Sequence, residues 1–196
     1  MNTPETQFAF LLKQIYNILK PLGYKKERGN FRLSEPDGLG KIICVSRNRW
    51  NTCDYLLFSL DIGVYFEKEP IIQNQRFKEI ECQLRKVVAR QDSGTLQPAP
   101  GNKDWREDLE TRYWLITENT DMEALFVSVN LGLKACFDWF DLFPDRKTAI
   151  EKILSGEADQ YSDYNVMHCR TAKLLSDMGY ARQVYERIKD INPDYP

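Results

Sequence analysis

The stretch LLFSLDIGVYFE, Leu56 to Glu67, alternates throughout. Phe58, Leu60, Ile62, Val64 and Phe66 fall on one side, and Ser59, Asp61, Gly63, Tyr65 and Glu67 on the other. A period of two belongs to extended backbone, because a helix would scatter those five apolar side chains around its axis. One apolar and one polar side is the signature of an antiparallel sheet packed on a single face. The spacing therefore predicts a strand that hides its Phe/Leu/Ile/Val side while water reaches its Ser/Asp/Tyr side.

Other segments supply partners for such a strand. Lys41 to Trp50 is β-rich, with Ile43 and Val45 on one face and Ile42 and Cys44 on the other. Phe31 and Leu33 alternate about Arg32, and RYWLIT at 112–117 reads as a last strand. SEPDGLG at 34–40 and NTCD at 51–54 carry the Gly, Pro, Asp and Asn of turns. Residues 77–90 fit two periods. Phe77, Ile80, Leu84 and Val87 suit a helix, whereas Ile80, Cys82 and Leu84 alternate as in a strand; the strand is preferred because the sheet would otherwise be small.

Helical signals flank this block. Thr3-Pro4-Glu5 reads as an N-cap, a first-turn proline and an acid at the positive end of the helix dipole. Phe8, Leu11, Leu12, Ile15, Ile18, Leu19 and Leu22 follow at intervals of three and four, and Pro21 and Gly23 end the run. The basic stretch KKERGN after it reads as the turn into a strand. After the strands, Thr120 to Glu123 forms a capping box ahead of Leu125, Val129, Leu133 and Phe140. Asp145 caps a short helix, Ser162-Asp163 is expected to start another, and Ala181 to Ile191 reads as the last.

The order gives an α+β fold: an N-terminal helix, an antiparallel sheet of about five strands, then a C-terminal run of about four helices. We divide the chain into an α+β domain, 1–144, and a small helical appendage, 145–196, packed on the same body. The 42% apolar content is enough for a core without disulfides or metal. The five cysteines are widely spread with no Cys-x-x-Cys, and the chain has one histidine, so a zinc site is not indicated and no cofactor is implied. With 27 basic and 29 acidic residues, the charge balance argues against a dedicated nucleic-acid binder. The N-terminus lacks the features of a signal peptide and apolar runs are short, so no membrane association and a cytoplasmic location are expected.

Phosphate-loop, dinucleotide and nucleophile-elbow motifs are absent, and His168 has no patterned partner. What stands out is a set of polar and aromatic residues that share a sheet surface if register allows: Arg32, Arg47, Arg49, Trp50, Asp61 and Tyr65. Arg, Trp and Tyr dominate protein-binding hot spots, so a protein partner is the first expectation. The Gly/Pro-rich stretch at 91–104, QDSGTLQPAPGNKD, reads as a flexible loop and a second contact for a partner. The alternative is a hydrolase or transferase in which Asp61 and Glu67 act as acids, Arg47 orients an anionic substrate, and the 91–104 loop closes over them.

The run LKPLGYKKERGNFRL, then GKIICVSRNRW, then FSLDIGVYF, resembles a bacterial family known as domain of unknown function 4304. Asp61-Ile62-Gly63 stands where that family has Asn-x-Gly or a relative. IECQLRKVV is similar to its Cys-x-x-Arg strand, and Tyr113-Trp114 to its aromatic pair ahead of a long helix. The resemblance covers roughly residues 8 to 140. It supports the strand reading around Cys82 and implies no activity, cofactor or catalytic residue. Small α+β proteins of this style also look similar to immunity proteins encoded beside bacterial toxins, which suggests a binding role.

Overall fold

The computed structural model describes residues 3–67, 82–88, 90 and 113–194. Helix α1 (Pro4–Leu19) begins where the Thr3 side chain accepts the Thr6 N–H, and it buries Phe8, Leu11, Ile15 and Leu19 along one stripe. A short 3₁₀ turn holding Pro21 closes it, and Gly23 takes the left-handed conformation that lets the chain reverse into the sheet.

Among the described residues six strands form one antiparallel sheet: β1 (Lys25–Glu27), β2 (Asn30–Ser34), β3 (Leu39–Arg47), β4 (Tyr55–Phe66), β5 (Leu84–Val88) and β6 (Trp114–Thr117). KKERGN is only partly a turn. Lys25 to Glu27 are extended, and a two-residue hairpin turn at Arg28-Gly29 connects them to β2, with Arg28 at φ 57°. β4 is the spine: β3 pairs along one edge, while β5 and β6 share the other. β5 lies opposite Leu60 to Val64 and β6 opposite Tyr55 to Phe58, both antiparallel, so they lie in one line whose break falls opposite Ser59. The strand reading of 77–90 holds for Leu84–Val88; residues 77–81 and the 91–104 stretch lie outside the described residues.

Directly paired residues share a face, which fixes the layers. Leu56, Phe58, Leu60, Ile62, Val64 and Phe66 meet Ile43, Val45, Leu84, Val88, Trp114 and Ile116 on the core face. Phe58 packs between Phe8 of α1 and Trp114 of β6, each ring centroid 5.6 Å away. Helix α2 (Met122–Phe140) lies on the same face. Gly132 admits the Trp114 ring, where a β-carbon would stand 2.9 Å from it.

Two helix starts differ from expectation. The N-cap of α2 is Asp121, which accepts the N–H groups of Glu123 and Ala124; Thr120 instead accepts the Thr117 N–H and closes the turn out of β6. Ser162 and Asp163 start no helix. They bind the outer edge of β5, where Ser162 Oγ meets the Arg85 main chain and Asp163 accepts the Val87 N–H at 2.7 Å. An open strand edge invites unwanted pairing, and here the chain uses capping-type side chains to close one. At the opposite edge β1 is only three residues long and carries two lysines.

The later helices are α3 (Arg146–Ser155), α4 (Cys169–Leu175) and α5 (Ala181–Ile191). The buried cluster under the sheet continues through Ile150, Ile153, Leu174, Leu175 and Val184 of these helices. No helix among the described residues is long and apolar enough to cross a membrane.

Candidate functional site

The second face of the sheet, expected to be wet, is largely covered. Tyr65 is 3% exposed and forms a small buried cluster with Ile42 and Cys82. The cause is register. Gly40 of β3 lies directly opposite Tyr65, and the phenol ring folds flat across it, leaving no room for a β-carbon. Gly63 is covered in the same way by Cys82, whose Sγ would stand 2.5 Å from a β-carbon there. Leu57 and Ser59 on this face are buried as well. Burial pushes the Tyr65 hydroxyl above its ordinary pKa, with the Glu67 charge adding to the rise and Ser34 and Arg32 opposing it.

The six candidate residues therefore divide. Arg32, Asp61 and Tyr65 share the second face. Arg32 is half-buried in an ion pair with Glu27 at 2.9 Å, and its Nε has no hydrogen-bond partner. Asp61 is half-buried and accepts from Ser59 Oγ at 3.1 Å. Arg47 points the other way: it pairs with Phe58 on the core face, binds Glu5 of α1 and lies over the Phe8 ring at 5.5 Å. Arg49 and Trp50 sit beyond β3 in the turn to β4.

This geometry does not assemble the carboxylate site. Asp61 and Glu67 share a face but are six residues apart on an extended strand, a separation of about 20 Å. Gly63 and the buried Tyr65 lie between them, and Glu67 is engaged by Ser34 Oγ at 2.6 Å. Arg47 is on the opposite side of the sheet from both.

What the fold does build is an exposed corner at the β3–β4 turn. Trp50 is 56% exposed, and the Arg49 guanidinium lies 5.0 Å from its ring centroid. The turn beneath is tied down. Asn48 Oδ1 accepts the Trp50 N–H at 2.9 Å, and Tyr55 Oη donates to the Trp50 carbonyl at 3.1 Å. Asn51 Oδ1 accepts the Leu57 N–H at 2.7 Å while its Nδ2 donates to the Leu57 carbonyl at 3.0 Å. One asparagine side chain thus imitates a strand partner at the base of the turn. Arg47, the last residue of β3, turns away to α1.

A second feature escaped the sequence reading. Asp37, Asp145, Arg146, Lys147, Ile150, Met178 and Tyr180 line a shallow recess of about 550 Å³ between the β2–β3 turn, the start of α3 and the α4–α5 junction. Both of its acids are engaged: Asp37 accepts the Arg146 N–H at 2.6 Å, and Asp145, held below the usual carboxylate range by hydrogen bonds from Thr148, caps α3. Asp37 and Arg146 are 109 residues apart in sequence, so no local signal joins them.

Fold and site together define an α+β protein whose antiparallel sheet is backed by helices, with a hydrogen-bonded Arg/Trp corner and no assembled carboxylate centre among the described residues. The family model described as Domain of unknown function (DUF4304) matches residues 15–123, more than half of the 196-residue chain, and the chain belongs to that family. The matched region runs from the second half of α1 through the whole sheet to the start of α2. No curated protein and no solved structure matches the chain.

Proposed function

We propose that the protein is a non-enzymatic binding module of the bacterial cytoplasm, docking another protein through the Arg49/Trp50 corner. The observation that carries this reading is Trp50, an indole held in water on a turn anchored from both sides. An exposed tryptophan on an ordered turn gives a partner a large apolar area with little ordering left to do. Arg49 against the ring adds a charged donor of the type that accompanies tryptophan in hot spots, and Arg47, paired with Glu5, ties the strand below to α1. Tyr65 is buried at the far end of β4 from this turn and offers no contact; Arg32 and Asp61 lie on another face. An immunity-type role, in which the partner is a toxin domain, is the specific form of this reading that the style of the fold favours.

The test is affinity capture on the tagged protein across several growth conditions, followed by titration of any stoichiometric partner with Trp50→Ala and Arg49→Glu. We expect each to weaken binding by tenfold or more, on the order of a hot-spot residue, with far-UV circular dichroism unchanged. Absence of a stoichiometric partner in every condition, or an affinity indifferent to both changes, contradicts the reading.

A further inference from the structure

His168 is the one histidine of the chain, and it sits at a junction. Its Nδ1 accepts the backbone N–H groups of Arg170 and Thr171, at 3.2 and 3.3 Å, and so caps helix α4. In the tautomer this requires, the proton is on Nε2, which lies 3.2 Å from Thr171 Oγ1. The Cys82 main chain, just before β5, faces the ring and favours its protonated form. Six residues upstream, Ser162 and Asp163 cover the outer edge of β5, and the Tyr164 ring lies 3.8 Å from the Arg85 guanidinium. Residues 162–164 thus tie the start of this stretch to β5, and His168 closes its end on helix α4.

A histidine N-cap differs from the usual serine, threonine, aspartate or asparagine in one way: it loses its acceptor when it takes a proton. Protonated Nδ1 becomes a donor facing two donors. The imidazolium would also stand at the positive end of a helix and near two fixed cations, Arg170 on its own helix and Arg85 on β5.

We infer that His168 is an acid-sensitive latch, holding the first turn of helix α4 closed when neutral and releasing it when protonated. Burial, reinforced by Arg170 and Arg85 and opposed by the Cys82 main chain, holds the imidazole below its ordinary value of 6.5. The unfolded chain therefore binds the proton first. The latch's contribution is complete above that ordinary value and is lost as pH falls through the lower folded value.

The test compares the full-length protein with His168→Asn, which keeps a side-chain acceptor at the cap but does not titrate. Asp163, Arg85 and Arg170 are common to both and supply the same background. Between about pH 7.5 and about pH 5, the wild-type thermal midpoint should fall further than that of the variant, by about 2–4 °C. Over the same range, wild-type amide-exchange protection at Arg170 and Thr171 should drop about tenfold while the variant's holds. A lone histidine gives one unambiguous imidazole signal by NMR, and its titration should coincide with that loss. Parallel pH profiles for the two proteins, or an imidazole that titrates at or above 6.5 with both amides still protected, overturns the latch.

Discussion

The two faces of β4 are built from alternate residues of the same twelve-residue strand, yet they do different things. The even-numbered face is a large apolar core shared with α1, α2 and the later helices. The odd-numbered face has polar residues in sequence and is nevertheless buried at its middle, because glycines lie where neighbouring side chains must fold down. Alternation reports which residues share a face; it does not report whether water reaches that face. Coverage depends on cross-strand register, and the hot corner lies off both faces, in the turn.

Four changes separate the faces, the largest effect first. We propose that residues 145–196 belong to the same folding unit as the sheet. Ending the chain at residue 144 strips Ile150, Ile153, Leu174, Leu175 and Val184 from the core, and the product is expected to lose cooperative thermal unfolding in calorimetry. Phe58→Ala opens a hole between Phe8 and Trp114 and should cost about 3–5 kcal/mol in urea denaturation.

On the other face, Gly40→Ala drives a β-carbon into the Tyr65 ring and should cost about 1–3 kcal/mol. That cost should shrink when Tyr65→Ala is also present, since the two occupy one space; additive costs would refute the stacked arrangement. The smallest effect is alkaline. The raised Tyr65 hydroxyl contributes stability that is present below its ordinary value of 10.0 and lost as pH rises through the folded value. Stability measured at rising pH should therefore fall less steeply in Tyr65→Phe than in the wild type.

The legible part of the fold was what local pattern controls. The period in Leu56 to Glu67 located the spine of the sheet, Thr3-Pro4 located the start of α1, and the Pro21/Gly23 pair its end. Misplaced features were those decided by distant partners. Ser162 and Asp163 look like a helix start because capping and edge-covering use the same side-chain oxygens, and only the nearness of β5 selects the second use. Thr120 and Asp121 are adjacent capping residues, and the turn out of β6 claimed the threonine. The candidate site was legible as residue types and not as a place. Arg49 and Trp50 are adjacent in sequence and stay together while Arg47 turns to α1, whereas Asp61 and Tyr65 are assigned to another face by the pleat, which Arg32 joins by pairing with Ile42.

The account's central claim is that binding happens at the turn corner and not on the second face. The direct measurement is the dissociation constant of the captured partner for Trp50→Ala beside Asp61→Asn, both checked for wild-type thermal stability. The account predicts a loss of about tenfold or more for Trp50→Ala and an unchanged constant for Asp61→Asn. A large loss at Asp61 with Trp50→Ala binding normally would contradict it.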